Sequence, residues 1–220
     1  MSDVGPVESL YQPIVESIVQ RILIAEDALS QVAKNENGPL NFVECEVAVL
    51  QIRLICELFL AGSTAAHANE GGIEISTSIW RPKEVFQSLS KINIHPLQIP
   101  VSVELDKNGP GGHHVTPKSR PLKFEVISEI YGKCGDLLHV PTIRQISKGK
   151  LPEFDVAVLW RWLGGFRELA MGHALMLPER QTVMLAIWSG DVATKPESFR
   201  LDAKGPSSLD LSLYPEFDLL

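Results

Sequence analysis

Cysteine is scarce in this chain, with three residues in 220: Cys45, Cys56 and Cys134. The count is odd and no pair has metal-type spacing, which argues against a disulfide framework and a paired-Cys zinc module. Each falls in an apolar helical pattern, which predicts buried, reduced thiols and a reducing compartment. Basic charge is not in excess either. Twenty Lys and Arg face 27 Asp and Glu, for a net charge of −7. An acidic surface repels phosphate backbones, so a broad nucleic-acid-binding face is disfavoured; a local basic pocket for RNA is left open. Long uninterrupted apolar runs are missing. The most hydrophobic stretch, 45–61, is broken by Glu46, Gln51, Arg53 and Glu57, and it reads as a core helix, not a membrane span. Residues 1–6 lack the basic and apolar regions of a signal peptide, so a cytoplasmic location is expected. The sequence has no Gly-rich phosphate loop, nucleophile elbow, His-Glu-x-x-His motif or fixed-period repeat, and no cofactor or metal is expected.

What is present is helical periodicity. Hydrophobic residues make up 45% of the chain, enough for a sizeable core. Tyr11, Ile14, Ile18, Ile22, Ala25, Leu29 and Val32 step by three and four, one face of a long helix over 7–33. Pro13 is expected at its first turn. Asn41 and Glu44 form a capping-box pattern for a second helix, to about residue 67. That helix is apolar on most sides and is expected to be central, with Leu54 and Leu58 in the core. Arg53 and Glu57 can pair at i,i+4. A short helix follows over 82–92. Residues 98–105 alternate weakly as an arm or strand, and 106–112 read as a turn. Another helix starts at Pro121 and ends near His139, and a last one opens at Pro152. Residues 174–177 and 182–188 read as two strands around 178–181, with 198–201 as a candidate third. The fold class is therefore mainly α: a bundle of four or five helices with a small C-terminal antiparallel β hairpin. One domain spans 1–202; residues 203–220 form a tail that is mobile or docks on this or another chain.

The most informative stretch for chemistry is 131–139. Asp136 and His139 are i,i+3 on a helix, so they can touch. A carboxylate beside an imidazole fixes its tautomer and raises its pKa, as acid–base catalysis requires. A His closing a helix equally well complements the helix dipole, a structural role. His113 and His114 follow the turn and are expected in solvent. Metal binding there would need ligands such as His67 or His95.

The segments 50–57, 80–82, 92–96 and 131–139 together resemble an uncharacterised bacterial protein family with a helical core, across roughly 41–201. That core resembles HEPN-like bundles, which include ribonuclease toxins and their non-catalytic relatives. The nuclease version carries an Arg, a short spacer, then a His. Here Lys133 precedes His139 by that kind of spacer, and Lys lacks the bidentate fork of Arg. The resemblance implies a non-catalytic interaction or sensor protein, in a bacterial defence or toxin–antitoxin setting, that forms a homodimer or binds a protein partner. Two rivals stand beside it. One is a metal-independent ribonuclease using His139, with Lys133 or Arg144 on phosphate. The other is a small-ligand-binding domain with a pocket around Arg53, Glu57 and His139.

Overall fold

The computed structural model describes residues 7–34, 42–67, 82–93, 95–105, 113–139, 147, 153–177, 182–202, 214–217 and 219. Five helices and five strands occur among them. The order is α1 (Val7–Lys34), α2 (Phe42–His67), α3 (Pro82–Ile92), β1 (Ile99–Leu105), β2 (His113–Pro117), α4 (Phe124–Leu138), α5 (Val156–Met171), β3 (Gly172–Leu177), β4 (Thr182–Ile187) and β5 (Glu197–Asp202).

The periodicity of α1 and α2 becomes one antiparallel pair. Tyr11 and Ile14 lie beside Gly62, while Arg21 donates from Nη1 to Gln51 Oε1 at 2.8 Å. α2 is central: its buried residues include Ile52, Ile55, Cys56 and Phe59, and it packs against α1, α3, α4, α5 and β3. Phe59 stacks on Phe166 of α5 with ring centroids 5.6 Å apart. Leu54 and Leu58, expected in the core, are only half-buried. They lie on the outer face of α2, because the fully buried side is taken by Ile52, Ile55, Cys56 and Phe59. Pro13 sits inside α1 and not at its first turn. Tertiary packing on both flanks of that position compensates the backbone bond that proline cannot donate. Asn41 and Pro152 lie outside the described residues.

The hairpin expectation needs correction. β3 and β4 do form an antiparallel pair, from Gly172↔Ile187 to Leu177↔Thr182. They belong to a five-stranded sheet of order β2-β1-β3-β4-β5, antiparallel at every step. The weakly alternating arm at 99–105 is what extends it. β1 pairs with β3 through Ile99↔Ala174 and Pro100↔His173, and it recruits β2 on its other edge. The crossing is close at Gly172. A Cβ there would stand 2.6 Å from the Val101 carbonyl oxygen, so only glycine fits without displacing backbone.

Alternation along β3 and β4 gives the sheet two apolar faces. Leu175, Leu177, Met184 and Ala186 pack with Tyr11, Val15 and Ala66 of the helices. Ala174 and Leu185 cluster with Ile99 and Val101 on the opposite face. α4 begins at Phe124 and not at Pro121. The residues before it are held extended: Leu122 N donates to Gln98 O, and Arg120 N donates to Pro215 O, both at 2.8 Å. α5 starts at an N-cap, Asp155, whose carboxylate accepts from Val158 N at 3.1 Å. No helix among the described residues is long and apolar enough to cross a membrane.

Candidate functional site

Two of the sequence-derived site residues come together. Arg53 and Glu57, one turn apart on α2, pair with Nε to Oε1 at 3.7 Å. Arg53 also reaches α4, where its Nη2 donates to the Tyr131 hydroxyl at 2.8 Å and its guanidinium lies 4.5 Å from the Tyr131 ring centroid. The cluster clamps α2 to α4. A Cβ on the neighbouring Gly135 would lie 3.6 Å from Arg53 Nη1, an ordinary contact.

The other candidates do not assemble. Asp136 and His139 are both exposed, and no hydrogen bond or ion pair joins them among the described residues. His139 contributes its backbone N–H, which donates to Gly135 O at 3.1 Å and closes α4. Lys133 is committed elsewhere: its Nζ lies 2.7 Å from Glu129 and 5.8 Å from the Trp162 ring centroid. Arg144 lies outside the described residues. His113 and His114 fall on β2, their side chains outside the description. No group of metal-ligating side chains occurs among the described residues.

The three cysteines are buried and free. Burial raises the thiol pKa of all three, Cys134 to about 12 and Cys56 well above its usual value. Thiols held protonated in this way are packing groups and not nucleophiles.

A buried polar network went unseen in the sequence. His173, on β3, donates from Nδ1 to Leu169 O at 2.9 Å, which leaves Nε2 to accept from the Tyr11 hydroxyl at 2.6 Å. Burial drives the His173 pKa down to about 4, against the smaller opposing pull of the Leu169 bond. Gln98 donates from Nε2 to Phe59 O at 2.9 Å and to Ser63 Oγ at 3.2 Å. Its Oε1 is buried without a hydrogen-bond partner among the described residues. One turn further along α2, His67 donates from Nδ1 to Ser63 O at 2.7 Å and accepts at Nε2 from Asn93 at 2.9 Å. Asn93 also donates to Met176 O at 2.6 Å. The network ties α1, α2, β3, Asn93 and Gln98 together. The network holds His173 as a neutral imidazole and Tyr11 as a fully buried phenol with a raised pKa, neither of which titrates near neutral pH. Its role is to satisfy backbone and side-chain polar atoms that the helix–sheet junction buries.

Clefts open to solvent occur among the described residues. One lies between α1 and α2, about 210 Å³, lined by Ser17, Arg21, Leu54, Glu57, Leu58 and Ala61. The second, about 370 Å³, lies between α3, the 95–97 and 120–123 segments and the start of α4. Neither is lined by Arg53 or His139, so the pocket expected around Arg53, Glu57 and His139 is not formed by these clefts. No family model, curated protein or solved structure matches this chain.

Proposed function

We propose that this chain is a non-catalytic interaction or sensor protein on a HEPN-like helical scaffold, and that it self-associates through the outer face of α1 and α2. One observation carries the reading: that face is apolar, grooved and of mixed charge. Along α1, Leu10, Ile14, Ser17, Arg21 and Ile24 step by three and four, the spacing of a single helical face. Along α2, Val43, Val47, Leu50, Leu54 and Ala61 keep the same kind of spacing. Leu10, Ile24 and Leu50 are exposed at 39, 45 and 43%, and Val43 at 68%. Large apolar side chains collected on one face mark an interaction surface more than scattered ones do. The groove carries Arg21 and Glu57 as well, and a two-fold interface, in which the same patch meets itself, is served by a patch bearing both signs.

His139 and Asp136 make no hydrogen bond or ion pair with each other among the described residues, and Lys133 pairs with Glu129, which supports the non-catalytic half of the reading. The test is light scattering across a concentration series. A dimer is expected in the wild type and a monomer in Leu50→Glu. A strict monomer at high micromolar concentration overturns self-association. Metal-independent cleavage of mixed cellular RNA, present in the wild type and absent in a folded His139→Gln variant, overturns the non-catalytic reading.

A further inference from the structure

The groove between α1 and α2 holds two charges that the fold leaves incompletely matched. Arg21 of α1 and Glu57 of α2 both line it, and Leu54, Leu58 and Ala61 supply apolar surface beside them. Arg21 is half-buried and anchored by one bond, from Nη1 to Gln51 Oε1 at 2.8 Å. No carboxylate pairs with it among the described residues. Glu57, with its side chain 28% exposed, pairs with Arg53 one turn away on its own helix. Their separation of 3.7 Å is too long for a hydrogen bond. Arg53 is already committed to α4, through the Tyr131 hydroxyl and ring. A cation without a counter-ion and a loosely held carboxylate therefore share one apolar groove.

A second copy seated on this face withdraws both charges from water. An ion covered in that way destabilises the contact unless it gains an opposite charge. That condition fixes how two copies meet. A two-fold axis lying in the interface, midway between Arg21 and Glu57, brings each residue onto the counterpart of the other. An axis through either residue alone sets like charges face to face. We propose that the dimer is registered by two reciprocal ion pairs, Arg21 with Glu57 of the partner subunit and Glu57 with Arg21 of the partner subunit, and that ionic strength regulates its assembly. This rests on the self-association proposed above and adds the register and its control. The surrounding Leu54, Leu58 and Ala61 exclude water from the pairs, which strengthens them over pairs in open solvent. Salt screens charges over about 8 Å at physiological ionic strength, so a dimer registered by charge weakens as salt rises. Purely apolar burial does not weaken in that way.

The experiment uses the full chain and reads dimer dissociation constants by sedimentation equilibrium. R21E alone sets carboxylate against carboxylate at both pairs, and E57R alone sets guanidinium against guanidinium. Each is expected to weaken the dimer roughly tenfold or more. An equimolar mixture of the two restores opposite charges at both pairs, and a heterodimer that recovers most of the loss is expected. Raising sodium chloride from about 50 to about 500 mM is expected to weaken the wild-type dimer. The neutral double variant, Arg21→Gln with Glu57→Gln, is expected to lose that salt dependence. Thermal melts establish that each variant is folded, and the neutral variant decides the matter should a reversal fail to fold. A mixture that associates no better than either variant alone overturns the pairing, as does a salt dependence that survives in the neutral variant. If Leu50→Glu still breaks the dimer in those cases, the α1–α2 reading stands and only the register falls. A wild type that stays monomeric overturns both.

Discussion

His173 is the residue whose burial has the clearest measurable consequence. Its pKa falls from 6.5 to about 4 because the ring is fully buried beside Tyr11 and Phe59, against the smaller opposing pull of the Leu169 carbonyl. The unfolded chain therefore binds a proton that the folded chain refuses between those two values. Stability from this group is complete above about pH 6.5 and is lost as pH falls towards 4, by roughly 3 kcal/mol over the window. The difference between wild type and His173→Gln in pH-dependent urea unfolding is expected to show that slope; parallel curves would mean that the imidazole is not sealed. Tyr11→Phe removes the donor to Nε2 and is expected to cost about 1–3 kcal/mol. His139 is the opposite case. Its exposed ring has no side-chain bond among the described residues, so His139→Gln is expected to change stability by less than about 0.5 kcal/mol, the range of surface sites. A larger loss in denaturant titration would restore the structural role that its position at the helix end suggests.

At the scale of elements, α2 and the β1–β3 seam decide the architecture. Ile55 is fully buried on α2, and Ile55→Ala is expected to cost about 2–5 kcal/mol through lost burial and the cavity left behind. Half-buried Leu54, one position earlier, lines the outer groove, so Leu54→Ala is expected to cost about 1 kcal/mol. Equal losses for the two in chemical denaturation would mean that the outer face is not open. Gly172→Ala forces a methyl against the Val101 carbonyl, 2.6 Å away. An expected cost of about 1–3 kcal/mol and faster amide exchange in 99–105 would report the seam opening. The individual helices were legible because an apolar side chain every three or four residues has one structural meaning. The seam was not, because β1 and β3 lie more than 60 residues apart in the sequence and nothing local records which strands will pair.

For the whole molecule, the proposed self-association through α1 and α2 would couple folding to concentration, since a dimer that dissociates on unfolding gains stability by mass action. The wild-type melting temperature is expected to rise with protein concentration, and that of Leu50→Glu to stay constant; concentration-independent melting of both would count against the dimer. The sequence by itself determined the five described helices, the strand tendency of 174–177 and 182–188, the i,i+4 pairing of Arg53 with Glu57 and the burial of the three cysteines. All of these follow from spacing along a few turns of chain. Tertiary structure alone decided that the hairpin is part of a five-stranded sheet, that Tyr11 meets His173 across 162 positions and that Glu216 reaches Arg120 and Lys123. It also decided that Asp136 and His139, adjacent on paper, make no pair. The physical reason is common to all four. Periodicity states which face of an element is apolar, whereas which polar groups end up opposite one another depends on how those faces stack. A side chain at i,i+3 that is left in solvent has water as its partner and little reason to choose its neighbour.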